Sequence, residues 1–508
     1  MHESPPFLAI RKLRRRAIEV HGEQDIFDVS QGEPGYGFAP STRSRRFFSF
    51  LMLADTVLNN NQTERHLGSG GQHEVDRIME TLAEVAQQHY LPEVGDELLA
   101  DLEYFVTELE RITEAQGVPK SRQEILFDIF KYSILAGGRY PNPWGELVVR
   151  MAVADERSAE FGYPVNFEDI ILLGGASQGV GMFFKGLGEE GVGYLRRGDS
   201  VLMISPVYAP YTQFIEDRGL ELVNIAIDPE TGALDEGSFE AAQKHQKRIK
   251  AIIMIDPNNP TGFAFSQSIL EKVAEIAESN NAIILSDEVY SEFFPGKESI
   301  IHIPGARKRT LRLNALSKIE RATGVRLGDA YLPPETREFI AQEILEPDCP
   351  GFVEQYQDFR WFLFLCKSAG GRTIGVFQHI SGVPGPSQIL GLCHLILGKA
   401  ERQAYIETLR KKVEAFYTAM GLPQPSNSYY GTIDLRPLEG PQTAAKPIEQ
   451  VLTELAEQGA VLMPANRFFS TADRAQDDKS RFIRVSLPNL SVVNSAKAGT
   501  IIREHIQR

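Results

Sequence analysis

The sequence predicts an α/β protein with a largely parallel sheet in its middle, a helical block before the sheet and a smaller α+β unit after it. Three observations lead to this prediction. Short apolar runs alternate with helical patterns between about residues 150 and 335. Apolar residues recur at helical spacing from about 73 to 130, and a long helical pattern precedes short strand patterns after about 390.

Five short apolar runs predict the strands of the sheet. They occupy residues 170–173, 201–204, 222–225, 251–255 and 282–285. Runs of this length between polar or turn-forming residues are typical of strands buried on both faces. Between the last two runs, the spacing of Ile269, Val273 and Ile276 predicts a helix. This alternation predicts parallel strands with helices on both faces of the sheet.

The helical block precedes the sheet and is a candidate insertion. One of its apolar stripes runs through Leu98, Phe105 and Ile112. At 508 residues, the chain is long enough for two or three domains. The expected parts are an N-terminal segment over 1–60 that joins the small domain, a helical insertion over 61–135, a large domain over 136–390 and a C-terminal small domain over 391–508.

Composition and charge argue against several classes of function. With 42% hydrophobic and 24% charged residues, the chain is typical of a globular protein. Its net charge of −15 argues against nonspecific nucleic-acid binding. The basic run at residues 11–16 is the local exception, and we interpret it as the solvated face of a helix.

Targeting signals and metal-ligand patterns are not recognisable in the sequence. No apolar run is long enough to span a bilayer, and no signal peptide is visible. The widely spaced Cys349, Cys366 and Cys393 predict neither a disulfide framework nor a zinc site, and we expect no other metal. We therefore expect a cytoplasmic protein with neither membrane nor nucleic-acid partners.

The region around Lys318 carries the most informative pattern. Residues 314–328 read NALSKIERATGVRLG, and two polar turns precede them, DPNNPTG at 256–262 and SDEVY at 286–290. Taken alone, Lys318 would be an ordinary surface lysine. A lysine that follows an amide, an aspartate and a tyrosine at predicted strand ends suggests a site for pyridoxal 5′-phosphate (PLP). PLP needs an amine for its aldehyde, a carboxylate for its pyridine nitrogen and polar donors for its hydroxyl and phosphate.

Two further turns follow predicted strands. Residues 174–179 read GGASQG and open a helical pattern, so their backbone amides suit a phosphate, although a simple strand-to-helix turn is the better explanation of the motif taken alone. Residues 206–211 read PVYAPY. Tyr208 at this strand end is either a ring that stacks on a flat cofactor or a core aromatic residue.

Several polar residues are candidates for the same site, and each has a simpler alternative. Asn259 either donates to a ring hydroxyl or only shapes a turn. Asp287 is either the partner of a bound cation, with Tyr290 beside it, or a helix cap. Arg326, between two glycines, suits a phosphate. Arg484 interrupts an apolar strand and has either a substrate carboxylate or a structural acid as its partner.

In their order and spacing, these motifs together resemble the fold type I PLP enzymes of the aspartate aminotransferase superfamily, the class I and II aminotransferases. The resemblance covers nearly everything except the helical block. It implies a large PLP-binding domain with a mostly parallel seven-stranded sheet, a smaller α+β domain, and amino acids and 2-oxo acids as substrates. It also implies at least a homodimer, because two chains contribute to each site in this superfamily.

The resemblance implies a role for each matching residue. Lys318 would hold PLP as a Schiff base and then move the α-proton, Asp287 would pair with the pyridine nitrogen, and Tyr208 would stack on the ring. The other cofactor-binding residues that it implies are Gly175, Ala176, Ser177, Asn259, Tyr290, Arg326 and, from the neighbouring subunit, Tyr140. The substrate-binding residues that it implies are Gly32 and Arg484.

The chain departs from the family pattern at two places. Ala315 stands where the family often has a serine, which removes one hydroxyl contact to the phosphate. Residues 465–467 replace a glycine-rich pattern, and Arg467 there is either a second anion-binding residue or an exposed loop residue.

Other features resemble the aspartate 4-decarboxylase branch of the superfamily. These are the long helical block, the PVYAPY turn, the pair Tyr429 and Tyr430, and RVSLPNL at 484–490. That branch carries an arginine just before its first glycine turn, where this chain has Gln31. An amide binds a dianionic substrate less well than a guanidinium, which argues against aspartate and makes Gln31 a candidate substrate-binding residue.

Three functions therefore compete. The first is a PLP-dependent aminotransferase of amino acid metabolism. The second is a β-decarboxylase, or a specialised biosynthetic enzyme for elimination or C–C bond formation on the same scaffold. The third is a non-catalytic regulator, and the retention of Lys318, Asp287 and Arg484 argues against it.

Overall fold

The computed structural model describes residues 6–30, 32, 41–60, 72–131, 141–189, 191–355, 365–367, 373–375, 382–425 and 429–508. Its α-helices are α1 (Pro6–His21), α2 (Thr42–Asn60), α3 (Gln72–His89), α4 (Pro92–Ala115), α5 (Arg122–Lys131), α6 (Leu147–Phe161), α7 (Ala176–Leu187), α8 (Ala209–Glu216), α9 (Glu236–Gln243), α10 (Gln267–Ser279), α11 (Leu316–Ile319), α12 (Pro334–Phe339), α13 (Glu346–Asp348), α14 (Phe352–Gln355), α15 (Gly385–Leu397), α16 (Lys399–Met420), α17 (Pro441–Ala444), α18 (Ile448–Glu457), α19 (Thr471–Gln476) and α20 (Val492–Ile506).

The strands complete this set of elements. They are β1 (Phe27–Asp28), β2 (Ile170–Leu173), β3 (Ser200–Ser205), β4 (Glu221–Ala226), β5 (Ile249–Ile255), β6 (Ile283–Asp287), β7 (Thr310–Ala315), β8 (Gly328–Tyr331), β9 (Leu365–Lys367), β10 (Thr373–Gly375), β11 (Tyr430–Asp434), β12 (Ala460–Val461), β13 (Met463–Pro464) and β14 (Phe482–Ser486). All five strands predicted from apolar runs are present, β2 with the predicted bounds and the other four with bounds extended or shifted by one or two residues.

The central sheet of the described chain has seven strands in the order β2-β8-β7-β6-β5-β3-β4. Strands β4, β3, β5, β6 and β7 run parallel, and β8 is antiparallel to both of its neighbours. Because β2 is antiparallel to β8, it points in the same direction as the parallel set. The mostly parallel seven-stranded sheet predicted from the sequence is therefore confirmed.

Sequence reasoning missed β7 and β8, and buried charges explain why. Arg312 interrupts the apolar pattern of β7, and Asp329 interrupts that of β8. In the fold Arg312 pairs with Glu288 and Glu160, while Asp329 pairs with Arg157. Internal pairing makes these charges tolerable inside a sheet, but it hides the strands from a search for apolar runs.

Helices α3, α4 and α5 lie in the predicted helical block, and α2, which the sequence analysis placed in the N-terminal segment, packs with them. Helix α3 packs against α2, α4 and α5, while α2 and α4 also pack against α15. The predicted stripe of α4 is buried, with Leu98, Phe105 and Leu109 fully covered. Among the described helices, none combines the length and apolar character needed to cross a membrane.

The C-terminal unit contains a three-stranded antiparallel sheet in the order β11-β14-β13, with α16 and α20 packed against each other. The start of the chain joins this unit, because β1 pairs in parallel with β12 and α1 packs on α18. Helix α2 packs elsewhere, against α3 and α15. The exact domain bounds stay a prediction.

Candidate active site

A cavity of about 620 Å³ lies where β2, β3, β5, β6 and β7 end. Parallel strands bring their carboxyl ends to one edge of a sheet, and ligands of open α/β sheets bind there. Eleven of the residues predicted from the sequence line this cavity, namely Gly32, Gly175, Ala176, Ser177, Tyr208, Asn259, Asp287, Tyr290, Lys318, Arg326 and Arg484. The fold therefore brings together residues that are more than 450 positions apart in the chain.

Three predicted site residues are not among the cavity-lining residues. Gln31 and Tyr140 lie outside the described residues. Arg467 occupies a short 3-10 turn and does not line the cavity as described. Its neighbour Phe468 is nearer to the site, with its ring 5.3 Å from the Arg484 guanidinium carbon. The role of Arg467 as an anion-binding residue stays a prediction.

One end of the cavity is built as an anion-binding cradle. Gly175 directly precedes α7 and has a φ of 96°, which a residue with a side chain rarely adopts. The Arg326 Nη2 donates to the Gly174 carbonyl at 2.6 Å. A Cβ on Gly175 would lie 2.5 Å from that same nitrogen. Glycine is thus required for Arg326 to approach the amino end of α7, where Ala176 and Ser177 line the cavity.

The carboxylate of Asp287 lies at the end of β6 and is buried. The Tyr211 hydroxyl donates to its Oδ2 at 2.5 Å, and the Val289 N–H donates to Oδ1 at 3.3 Å. Burial raises the pKa of Asp287 to about 6, although these two hydrogen bonds and the nearby Lys318 lower it in part. A buried carboxylate of this kind is stabilised by a cationic partner in the cavity.

Lys318 lies in the short helix α11, directly after β7. Its Nζ donates to the carbonyl of Gly32 at 3.0 Å, and the Tyr429 hydroxyl donates to the same carbonyl at 2.9 Å. The Nζ also lies 5.9 Å from the ring centroid of Tyr290 and 5.7 Å from that of Tyr429. The amine is thus held inside an aromatic pocket, within the cavity that contains Asp287.

Arg484 enters the cavity from β14 of the C-terminal unit. It is 4% exposed, and its guanidinium carbon lies 4.6 Å from the ring centroid of Tyr430. Its Nη2 donates to the Ser30 carbonyl at 2.7 Å, and Nη1 donates to Asn259 Oδ1 at 3.4 Å. Within the described chain its buried Nε has no hydrogen-bond partner. This arginine therefore retains a donor for an anionic ligand.

Sequence reasoning did not assign roles to several lining residues. They include Tyr211, Thr323, Gly324 and Tyr430. Tyr211 and Tyr430 stand inside motifs that the sequence had singled out, PVYAPY and the Tyr429–Tyr430 pair, so their presence was detectable. Both tyrosines of PVYAPY line the cavity, whereas Tyr430 is the lining residue of the Tyr429–Tyr430 pair, which depends on the register of β11 against β14.

The residues of the cavity fit PLP in chemistry. The cradle at Gly175 has no side chain where a phosphate would approach, and it is lined by the cation Arg326. Asp287 supplies a buried carboxylate for a pyridinium, and Lys318 supplies an amine. Tyr208 supplies a ring surface at the same strand-end edge.

Comparison with known proteins agrees with this reading. The family "Aminotransferase class I and II" matches residues 136–351. A probable N-succinyldiaminopimelate aminotransferase of Mycobacterium tuberculosis, DapC, is 27% identical over 47% of this chain, and that match spans only 60% of its own length. A bifunctional aspartate aminotransferase and L-aspartate beta-decarboxylase of a Pseudomonas species is 24% identical over 97% of this chain and 94% of its own.

A solved structure shows the same fold over nearly the whole chain. A double mutant of Thermus thermophilus aspartate aminotransferase superposes with a TM-score of 0.60 at 20% identity, covering 99% of this chain and 97% of its own. The fold is that of the fold type I enzymes. The chain therefore resembles the class I and II aminotransferases over residues 136–351 and shares the fold of the Thermus enzyme over nearly its whole length.

Proposed function

We propose that this chain is a PLP-dependent aminotransferase that acts on the α-amino group of an amino acid. One observation carries the proposal: a single cavity contains an amine at Lys318, a buried carboxylate at Asp287 and an anion-binding cradle at Gly175. These are the three groups that PLP needs, and they lie at the strand-end edge of the sheet.

The two ends of the cofactor would have different partners. Ala176, Ser177 and Arg326 would hold the phosphate at the amino end of α7, with Tyr140 of a second chain as a further contact. Asp287 would hold the pyridine nitrogen protonated. Bound PLP supplies an electron sink that stabilises negative charge at the substrate Cα.

The remaining polar groups would orient the ring and the substrate. Asn259 and Tyr290 would donate to the ring hydroxyl, and Tyr208 would cover one face of the ring. Arg484 would bind the substrate α-carboxylate beside Gly32, a role supported by its buried Nε without a partner in the described chain. Gln31 and Arg467 remain proposed substrate contacts.

Lys318 would both hold the cofactor through Nζ and move the α-proton of the substrate. A general base must be a neutral amine within reach of the proton that it removes. The contact of Nζ with the Gly32 carbonyl keeps the amine in the cavity before a ligand arrives. Lys318 therefore has a defined position from which to act.

A β-decarboxylase is the second candidate, and one comparison favours it. The alignment with the bifunctional Pseudomonas enzyme covers 97% of this chain, so it runs through the helical block of α3 to α5. Gln31 argues against a dianionic substrate such as aspartate. Elimination or C–C bond formation on the same scaffold would use the same residues around Lys318.

The proposal includes an assembly and a location. We propose a homodimer or a larger homo-oligomer, because the role assigned to Tyr140 requires a second chain. We also propose a cytoplasmic location, which the few and widely spaced cysteines support. Light scattering coupled to size-exclusion chromatography tests the dimer, and a purely monomeric protein with PLP bound would contradict it.

A product screen tests the reaction. The PLP-loaded protein is incubated with a panel of amino acids, with and without 2-oxo acid acceptors, and the products are read by mass spectrometry. Amino-group transfer that requires the acceptor supports the aminotransferase. Alanine formed from aspartate without an acceptor supports the β-decarboxylase instead. A visible spectrum without a band from bound PLP would contradict both candidate functions.

A further inference from the structure

Tyr430 occupies a corner of the cavity that the proposed function does not use. It is the first residue of β11, and Arg484 lies on the neighbouring strand β14, opposite Thr432. Because Tyr430 is two residues before Thr432, Tyr430 and Arg484 lie diagonally on the same face of the sheet. They stack there, with the guanidinium carbon 4.6 Å from the ring centroid. The tyrosine is 4% exposed and lines the cavity, so its hydroxyl points into a nearly closed space.

The hydroxyl of Tyr430 and the amine of Lys318 meet at the same glycine. A Cβ built on Gly32 would lie 2.0 Å from the Tyr430 Oη, so the hydroxyl rests directly against the Gly32 backbone. The carbonyl of that residue accepts the hydrogen bond from Lys318 Nζ at 3.0 Å. The Tyr290 hydroxyl donates to Tyr430 Oη at 3.3 Å, which orients the oxygen as an acceptor in this corner.

Charge around this hydroxyl favours its ionised form. Burial alone would raise the pKa of Tyr430, but Lys318, Arg484 and the hydrogen bond from Tyr290 together bring the pKa below the ordinary value. The neighbouring hydroxyls behave in the opposite way, because burial holds the pKa of Tyr290 and of Tyr429 well above the ordinary value. Among these three tyrosines, Tyr430 is the one set up to accept a proton.

We propose that Tyr430 is a positioning residue that controls the proton on Lys318, through a hydroxyl held against Gly32 and oriented by Tyr290. The step is a single proton transfer: a proton leaves Nζ of the Lys318 ammonium and joins the Tyr430 phenolate oxygen, which gives a neutral amine and a neutral phenol. The reverse transfer restores both charges. The proposal rests on the proposed function of Lys318 as a base, and it adds the group whose charge sets the pH at which the amine becomes neutral.

Other titratable and charged groups face the same corner. They are Lys318, Asp287, Arg484, Tyr290, Tyr208, Tyr405 and Tyr429. The pH behaviour of the corner is therefore that of a coupled set, and the test must compare variants that differ by one hydroxyl.

The first test compares Tyr430→Phe with Tyr429→Phe in the PLP-loaded protein. Both variants remove one buried hydroxyl that contacts Gly32, from adjacent residues of the same pair. The visible absorbance of each protein is titrated against pH. We expect the midpoint of Tyr430→Phe to fall by about one pH unit, because a lost hydrogen bond to a charged group has that magnitude. The midpoint of Tyr429→Phe should stay near that of the wild type.

Two results would overturn the proposal. One is an unchanged midpoint in Tyr430→Phe. The other is an equal shift in both variants. That result would show that the midpoint moves because packing around Gly32 is lost, and not because Tyr430 controls the proton.

A second test uses the PLP-free protein and keeps the two proposals apart. Lys318 is methylated with formaldehyde and cyanoborohydride over a range of pH, and the modified peptide is measured by mass spectrometry. We expect Lys318 in Tyr430→Phe to react at a pH about one unit lower than in the wild type. A wild type that binds no PLP would contradict the proposed function but leave this readout intact. An identical pH profile in the two proteins would contradict the role of Tyr430.

A replacement that preserves packing covers the case in which Tyr430→Phe does not fold. Tyr430 is replaced by 3,5-difluorotyrosine, which keeps the hydroxyl and makes it more acidic. A phenolate next to the amine stabilises the charged form of the amine. The midpoints of the absorbance titration and of the methylation profile should therefore both rise, whereas both fall in Tyr430→Phe. A fall or no change would overturn the proposal.

Discussion

At the scale of the residue, the cavity places an acid, an amine and a guanidinium in a largely buried setting, and each is held by a specific contact. Asp287 is held by Tyr211, Lys318 by the Gly32 carbonyl and Arg484 by the Ser30 carbonyl. Charged groups lose hydration when they are buried, so these arrangements favour a ligand that carries complementary charges. This cost can be measured for Asp287, because burial raises the pKa of its carboxyl group.

We expect Asp287→Asn to alter stability in a way that depends on pH. The pKa of Asp287 is about 6 in the fold against an ordinary value of 3.8, so the folded protein binds this proton more tightly than the unfolded chain. Ionisation of Asp287 therefore costs the wild type stability as pH rises from about 4 to about 6. Relative to the wild type, the PLP-free variant should gain about 1–2 kcal/mol between pH 5 and pH 7.

Denaturant unfolding of both proteins at the two pH values measures this difference. Asp256, whose pKa burial also raises to about 6, titrates in both proteins and cancels in the comparison. The variant should at the same time bind PLP more weakly, because the pyridinium loses its carboxylate partner. A difference in unfolding free energy that is independent of pH would contradict the raised pKa.

At the scale of the element, the site depends on strands that carry buried ion pairs. Arg312 on β7 is fully buried and contacts Glu288, the residue after Asp287, through Nε at 3.1 Å. Glu288 also accepts hydrogen bonds from Ser286 and Ser299. This network fixes the end of β6, and with it the carboxylate of Asp287.

We expect Arg312→Ala to destabilise the fold by about 3–5 kcal/mol, because it leaves Glu288 and Glu160 buried without their cation. Arg410→Ala is the matched control, since Arg410 pairs with Glu407 on the exposed surface of α16. That variant should leave the stability close to that of the wild type, because exposed ion pairs contribute little. Urea unfolding of both variants measures the two costs, and similar values would mean that the buried network contributes little.

The same network marks what sequence reasoning can and cannot predict. Runs such as residues 251–255 are apolar because both faces of their strands are buried, and the strand-end rule then places Asn259, Asp287 and Lys318 together. Strand β7 was missed because its pattern is broken by Arg312. Tyr430 lines the cavity in preference to Tyr429 because of how β11 pairs with β14, and no local sequence pattern specifies that pairing.

At the scale of the whole molecule, the start of the chain joins the two halves of the site. Strand β1 pairs with β12 of the C-terminal unit, and Ser30 contacts Arg484 in that unit. Gly32 then contacts Lys318, at the end of the central sheet. A ligand that bridges Lys318 and Arg484 would therefore bind to both units at once and stabilise their arrangement.

We expect PLP to raise the unfolding temperature of the wild type and to do so much less in Lys318→Ala. Ligand at about a hundred times its Kd adds about 2.7 kcal/mol of stability. Lys411→Ala, on the exposed surface of α16, is the control and should respond like the wild type. Thermal unfolding with and without PLP, together with the visible spectrum, provides both readouts. A visible band that persists unchanged in Lys318→Ala would disprove the assignment of the amine.

The span of the cavity lining has a consequence for the synthesis of the protein. The lining begins at Gly32 and ends at Arg484, in a chain of 508 residues. During synthesis Gly32 leaves the ribosome first, and Arg484 follows more than 450 residues later. The full set of contacts therefore exists only once the central sheet and β14 have both been made, so the whole cavity cannot bind a small ligand before that point.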